Sequence, residues 1–204
     1  CKMSLRVSFT LFVDDLAAES TGPERVVRQH LADAVRRVAK RFTDMRLEFS
    51  GTKNTVCASS AKLADGVAKD VPELSIKVLR VATSLGAGIG AGKRRNAAVL
   101  RKRLGKFKAR RSRFRMLRKS GVNTVRLMRT GGCAAMQFGQ ALTGVSTTML
   151  LQQRRAVVSA ITDSVAGGDL DLTLIFAEAE GRVDPAFAAH ADPICAWATA
   201  VWEE

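Results

Sequence analysis

Leu5-Arg6-Val7-Ser8-Phe9-Thr10-Leu11-Phe12 runs straight into Val13-Asp14-Asp15 and then into Leu16-Ala17-Ala18. The first eight residues are apolar and β-branched enough for a buried strand. Two carboxylates interrupt them and a second short apolar run follows, so the pattern predicts two strands around a tight acidic turn. Thr21-Gly22-Pro23-Glu24 then reads as a helix start, with Thr21 as cap, Pro23 in the first turn and Glu24 at the positive end of the dipole. Apolar residues recur at Val27, Leu31, Val35, Val38, Phe42 and Met45, a stripe of helical period. Leu47-Glu48-Phe49 and Thr55-Val56-Cys57-Ala58 flank Ser50-Gly51-Thr52-Lys53 and predict a second hairpin with Lys53 in its turn. Ile76 to Ala82 is a further strand. Strand, strand, helix, strand, strand, strand is the order of an α+β domain with a mainly antiparallel sheet.

Charge divides the 204 residues more sharply than hydropathy does. The net charge is +14, from 33 Lys and Arg against 19 Asp and Glu, and the isoelectric point near 10.5 is the footprint of a nucleic-acid binder. Up to Glu73 the signs nearly balance. Between Glu73 and Asp163 there is no acidic residue and about twenty basic ones; from Asp163 onward Arg182 is the only basic residue among several acids. A run of that kind implies a polyanionic or strongly negative partner. Cys1, Cys57, Cys133 and Cys195 are scattered without a CxxC pair, which argues against zinc and a disulfide framework and for reduced thiols inside a cell. His30 and His190 have no matching partners. Cys1 in place of a starting Met reads as a piece of something longer. The uncharged stretch from Thr130 to Gln153 carries too many Gln, Ser and Thr for a membrane span and reads as a pair of buried helices.

After residue 92 the pattern turns helical. From Lys93 the apolar positions Leu100, Leu104, Phe107, Phe114 and Leu117 share one face of a long helix ending at Gly121, and Lys and Arg fill most other positions. Val122–Arg129 and Ala134–Leu142 are shorter helices separated by Gly131-Gly132. Ser146 caps a longer one carrying Met149, Leu150, Val157, Ala160, Ile161 and Val165. Leu170–Phe176 and a helix near Pro193–Trp202 follow. Leu85-Gly86-Ala87-Gly88-Ile89-Gly90-Ala91-Gly92-Lys93 is not a phosphate loop: Ala87 stands where GxxxxGK needs Gly, and Arg94 stands where it needs Ser or Thr. Residues 86–92 read as a Gly-rich linker.

Asp14 and Asp15 are the candidate chemistry. Adjacent carboxylates between apolar strands are costly unless a cation holds them, and Mg²⁺ takes one or two carboxylates plus phosphate oxygens. Asp is also common in turns, so a solvated bend is the competing reading. Phe12-Val13-Asp14-Asp15-Leu16 on a strand–turn–strand resembles the [Tyr/Phe]-x-Asp-Asp motif of reverse transcriptases. Met45-Arg46-Leu47-Glu48-Phe49-Ser50-Gly51-Thr52-Lys53-Asn54-Thr55 resembles the family's next motif, a Leu-x-Leu/Phe-Asn-x-x-Lys-Thr pattern, although Ser50 or Gly51 replaces its Asn and Asn54 separates Lys53 from Thr55. Lys77-Val78-Leu79 with Leu85-Gly86 is similar to the primer-positioning hairpin of non-LTR retrotransposon enzymes. The Gly-containing helices after it bear a looser similarity. The resemblance covers roughly residues 5–165, with its specific motifs in the first fifty or so.

The resemblance implies an antiparallel palm-type sheet with a packed helix over 1–85 and a basic thumb-like helical region at 93–166; the Gly-rich linker at 86–92 lies between them, and the charge pattern sets off an acidic C-terminal segment at 167–204. The resemblance also implies Mg²⁺ or Mn²⁺ held by Asp14 and Asp15, and Lys53 as a general acid for pyrophosphate departure (an ordinary turn lysine being the alternative). An RNA template, a DNA primer and dNTPs are the implied partners, with no membrane, and a nuclear location if the parent is a non-LTR element. The family's other essential aspartate lies on an earlier strand that the present residues do not include, so the chain is expected to be an incomplete nucleotidyltransferase, inactive alone.

The basic region is a candidate nucleic-acid surface independently of that resemblance. Lys93, Arg94, Arg95, Arg101, Arg103, Lys106, Arg110, Arg111 and Arg113 are its leading members. Like charges at i,i+4 repel by a few tenths of a kcal/mol per pair, and phosphates relieve the repulsion with release of counterions. Phe107 and Phe114 are its only aromatics, so backbone tracking of a duplex is expected rather than base stacking. Two other readings stay open: a non-enzymatic RNA- or DNA-binding protein whose Asp-Asp turn is accidental, and an assembly protein whose basic helices dock on an acidic partner, the C-terminal region among the candidates.

Overall fold

The computed structural model describes residues 7–90, 96–163 and 168–203. Helices dominate, accompanied by three two-stranded β pairs, so the α+β class holds in the broad sense. The described residues form two compact units. One runs through Ala82 and takes in Gly90; the other comprises Thr83–Ile89 and everything described from Asn96 on.

In the first unit, β1 (Ser8–Phe12) pairs antiparallel with β2 (Asp15–Glu19) in the register Phe12↔Asp15, Leu11↔Leu16 and on to Ser8↔Glu19. The acidic hairpin forms where the alternation of apolar runs around Asp14 requires it. The burial expected of it does not follow: every residue of β1 is exposed. With only one partner strand, neither face of β1 is covered, and Phe9, Leu11 and Phe12 remain at 42%, 64% and 56% exposure. Helix α1 (Glu24–Asp44) spans the predicted stripe as far as Phe42, but of that stripe only Val27 is buried; Leu31, Val35, Val38 and Phe42 are half-buried, Met45 lies exposed past the helix end, and the other buried residues are Ala32 and Ala39. Pro23 stands at its cap position, and no side chain caps the helix, Thr21 included. Pro at the helix entry supplies the required φ and has no N–H to satisfy.

The second predicted hairpin does not form. Arg46 adopts φ +60° after the helix end, the chain turns, and Phe49 folds back to stack on Phe42 with ring centroids 5.1 Å apart. Leu47–Phe49 is therefore irregular. Strand β3 (Thr55–Val56) pairs instead with β4 (Lys77–Val78), and in parallel. A parallel connection needs a crossover, which helix α2 (Ala61–Asp70) provides. Ser60 caps it, accepting from the Leu63 amide at 3.2 Å. Its buried Leu63 and Val67 meet Val27 of α1, with Leu31 and Val56 alongside. Arg28 of α1 crosses α2 at Gly66 and reaches Asp70, its Nε and Nη2 donating to the two carboxylate oxygens at 2.6 and 2.7 Å. A Cβ added at Gly66 would lie 2.9 Å from Arg28 Nε.

Strands β5 (Val81–Ser84) and β6 (Ala87–Gly90) form the third pair. Leu85 and Gly86 turn between them with φ of +48° and +81°, the signature of a two-residue hairpin loop. The Leu-Gly turn is thus formed, and the linker reading of 86–92 is corrected over 86–90; residues 91–92 lie outside the described set.

The second unit is helical. The expected long basic helix is two helices, α3 (Ala98–Ala109) and α4 (Arg111–Lys119), broken at Arg110. The break lets Phe107 and Phe114 pack together, centroids 5.3 Å apart. Gly131-Gly132 do not separate helices as predicted. Helix α5 (Thr124–Leu127) passes through a π-helical turn at Met128–Gly132 into α6 (Cys133–Gln137). Gly139, at φ +80°, then breaks the chain before the short α7 (Gln140–Thr143). Ser146 caps α8 (Thr147–Ile161) as predicted, accepting from the Met149 amide at 3.3 Å. Leu170–Phe176 belongs to a helix, α9 (Leu170–Ala177), and α10 (Pro185–Trp202) begins eight residues ahead of Pro193. The core gathers Leu104, Phe107, Met128, Met136, Val157, Ala160, Leu174 and Val183. Among the described residues no helix is long and apolar enough to cross a membrane.

Candidate metal and nucleic-acid sites

The β1–β2 register leaves Val13 and Asp14 as a two-residue loop, with Asp15 opening β2 opposite Phe12. Val13 has φ +56° while Asp14 does not enter the positive region, which is the pattern of a type II′ turn. That first loop position is one where glycine is at ease and a β-branched residue is an outlier, at a cost on the order of 1–3 kcal/mol. Both carboxylates are exposed and belong to consecutive positions of a tight bend. They offer hard oxygen donors of the kind Mg²⁺ takes alongside phosphate oxygens. Among the described residues, however, no group of three or more His, Cys, Asp or Glu side chains could hold a metal ion.

Lys53 is exposed in the turn that leads into β3. The loop is fixed by its neighbour: Asn54 Nδ2 donates to the Leu74 carbonyl at 2.7 Å, and the Asn54 carbonyl accepts from the Lys77 amide at 3.0 Å. The residue that departs from the motif is thus the one anchoring the turn. Among the described residues no hydrogen bond or ion pair joins Lys53 to Asp14 or Asp15.

Of the basic positions, Lys93, Arg94 and Arg95 lie outside the described residues. The rest fall into two groups. Arg101, Lys106, Arg110, Arg111 and Arg113 are exposed, and no acidic side chain among the described residues pairs with them. Arg103 is different. Its guanidinium donates to the carbonyls of Gly86 at 2.8 Å and Ala135 at 3.1 Å, and it lies over the Phe138 ring, 5.0 Å from the centroid. It tethers the β5–β6 turn to α3 and α6, so both of its terminal nitrogens donate inside the fold.

Five acids from Asp163 onward are also paired, with arginines that composition did not distinguish from the others. Arg118 donates to the Ala160 carbonyl at 3.1 Å and pairs with Asp163. That hydrogen bond holds the Asp163 carboxyl below its ordinary range. Arg129 meets Glu178 at 3.1 Å and Glu180 at 2.8 Å. Arg154 on α8 pairs with Asp171 and Asp184; burial opposes its charge, but the hydrogen bonds it donates to Asp184 and Asp171, with their negative charges, outweigh it and raise its pKa. Asp163 and the acidic segment therefore pair with Arg118, Arg129 and Arg154, while among the described residues Arg101, Lys106, Arg110, Arg111 and Arg113 keep no acidic partner. The sequence signal for this was available: Asp163 is the first acid after the acid-free run, and it takes Arg118. Cys133, buried beneath these pairs, has its thiol pushed up to about 12 by burial first, then by Asp184 and Glu178.

No protein-family model matches the chain, and no curated protein or solved structure does either. The hairpin and the basic helices are the whole basis for a functional reading.

Proposed function

We propose that the chain is part of a reverse-transcriptase-type RNA-directed DNA polymerase, carrying a metal-binding carboxylate pair and the basic helices that hold a template–primer hybrid. In this reading the β1–β2 hairpin and α1 belong to a palm-type sheet, and α3 to α8 are thumb-like. The observation that carries it is the Asp14–Asp15 bend: two exposed carboxylates on a strained turn between two strands, the turn residue being Val13 where glycine would be relaxed. Strain of that kind clusters at functional sites. Asp14 and Asp15 would hold Mg²⁺ or Mn²⁺, which supplies charge stabilisation in phosphoryl transfer. The chain's own contribution is to orient the two carboxylates and, through Arg101, Lys106, Arg110, Arg111 and Arg113, to hold the phosphate backbone. Two carboxylates alone do not complete a two-metal site, so the described residues are expected to bind metal weakly and to polymerise nothing unaided.

The test is paramagnetic. Mn²⁺ titrated into isotope-labelled chain should erase amide signals centred on Phe12–Leu16, and Asp14→Asn or Asp15→Asn should restore them. Broadening spread evenly over the acidic residues beyond 163 would discard the metal reading.

A second reading, a non-enzymatic binder of RNA or DNA, is favoured by the lack of a three-ligand cluster among the described residues. There the Asp-Asp turn is a solvated bend. Nucleic-acid binding that survives in Asp14→Asn, with no localised Mn²⁺ effect, selects this alternative.

A further inference from the structure

A groove of about 470 Å³ lies where the α3–α4 break faces α8, with Lys108, Arg111, Arg155 and Gln152 on its walls and Phe107 and Phe114 against its apolar part. Its volume falls in the range of about 300–1,000 Å³ typical of small-ligand sites. Three features distinguish it from the basic surface at large. It is concave. It carries three cations from three elements, Lys108 on α3, Arg111 on α4 and Arg155 on α8, and no carboxylate, and a cleft lined by one sign of charge concentrates the field on an incoming anion. It also has an apolar side: Phe107 is buried, Phe114 is half-buried, and their rings meet at a tilt of 39°. Gln152 Oε1 accepts from Lys108 Nζ at 3.5 Å, a long contact that leaves the ammonium two further donors. Arg111 and Arg155 have no acidic partner among the described residues, although Arg154, the residue next to Arg155, has two.

We infer that this groove binds a nucleotide, its phosphate between Lys108, Arg111 and Arg155 and its base against the Phe107–Phe114 side. Cations converging on a cleft beside apolar surface suit a ligand that is anionic at one end and flat and apolar at the other, and a base stacks on any aromatic face without regard to sequence. The inference rests on the nucleic-acid reading of the basic helices and narrows it. It adds Arg155, which is outside the α3–α4 run, and it assigns base contact to a region whose sparse aromatics pointed to backbone tracking alone. The nucleotide's source, free in solution or at an unpaired position of a strand, is left to the experiment.

The experiment uses the 204-residue chain and measures its affinity for a short single-stranded oligonucleotide, the same strand with abasic sites, a nucleoside monophosphate and inorganic phosphate. Arg155→Ala is compared with the double variant Arg101→Ala/Lys102→Ala, and thermal melting verifies that each is folded. Arg155→Ala should weaken the normal strand by about tenfold or more, the size of a lost charge-assisted contact, and abolish its advantage over the abasic strand. The double variant should weaken both strands equally. Competition by the monophosphate places a free nucleotide in the groove; competition by the strand alone places a strand there. Inorganic phosphate competing as well as the monophosphate would overturn base recognition. Unchanged affinity in Arg155→Ala, with loss in the double variant, would overturn the groove and leave the basic-helix reading standing. Absence of binding by any form would overturn both. Should Arg155→Ala melt early, Arg155→Lys, which keeps the charge but not the planar donor fork, reads the same preference.

Discussion

Arg154 grips both carboxylate oxygens of Asp184, Nε to Oδ1 and Nη2 to Oδ2, each at 2.9 Å. Asp184 is also the cap of α10, accepting from the Ala186 amide at 2.9 Å, so one carboxylate starts a helix and ties it to α8. Asp184→Ala removes the cap and leaves a largely covered guanidinium with only Asp171. The expected loss is about 2–4 kcal/mol, read as a lower urea midpoint for the helical unit. Asp184→Asn, which keeps the capping oxygen, should lose roughly half of that. Equal losses would mean that the cap contributes nothing.

The strain at Val13 makes an unusual prediction for a turn residue. Val13→Gly should relax φ at the first loop position and slow hydrogen exchange across the hairpin, for a gain of about 0.5–1 kcal/mol. Faster exchange at Leu16 and Ala18 would show that the bend is not strained. If the strain orients Asp14, the stabilised variant should bind Mn²⁺ more weakly than the parent.

Arginines on α3 and α4 should separate in a salt titration against an RNA–DNA hybrid. Replacing Arg110, Arg111 or Arg113 by Ala should each lower the slope of log affinity against log salt by about one. Arg103→Ala should leave the slope unchanged and lower the melting temperature, because it vacates two carbonyls and an aromatic face, a loss of about 1–3 kcal/mol. A flat salt response in the parent chain would favour docking on an acidic protein over phosphate contact.

Acid should weaken specific pairs in a known direction. Hydrogen bonds from Arg28 and Arg118 depress the Asp70 and Asp163 carboxyls in the folded state. Their stabilising effect is therefore complete above the unfolded value near 3.8 and fades as pH falls through the depressed one. The stability difference between parent and Asp70→Asn should be constant from neutral pH down to about pH 5 and shrink as the pH falls below the unfolded value near 3.8. A difference that grows in acid would contradict the pairing.

The thiols should label unequally. Cys195 is exposed and should react with a maleimide at pH 8, whereas Cys133, buried with its thiol pushed up to about 12, should react only on unfolding. Rapid labelling of Cys133 in the native chain would show that α6 opens readily.

Local signals carried the elements that local chemistry decides. The β1–β2 bend, the α1 helix and the Ser146 cap were legible because each depends on residues within a few positions of one another, whereas the glycines of 86–90 pointed to a linker and form a hairpin instead. Helix α2 has a weak local signature, a Ser60 cap and the single i,i+4 apolar pair Leu63 and Val67, set between segments with strand-like alternation. That weak signature also hid the parallel pairing of β3 with β4, which exists only because a helix lies between them. Leu47–Phe49 looked like a strand by alternation, yet Phe49 gains more by stacking on Phe42. The continuity of the helix through Gly131-Gly132 was not legible, because a π turn tolerates what an α-helical reading treats as a stop. Within the candidate sites, charge patterning found the cations but could not sort them. Arg103 and Arg113 are equivalent in composition and opposite in role, and only the position of Phe138 and two carbonyls tells them apart.

Gly66 shows how an unfilled position can specify a tertiary link. Arg28 reaches its partner by lying across the helix at the one place where nothing projects, so the clasp between the first two helices depends on a hydrogen atom standing where a methyl would be. An alanine methyl there would lie 2.9 Å from Arg28 Nε, so the Arg28 side chain would have to shift its path over α2 to keep its hold on Asp70. Variation at position 66 should accordingly be read as variation in how firmly α1 is held to α2, because the guanidinium passes directly over that residue.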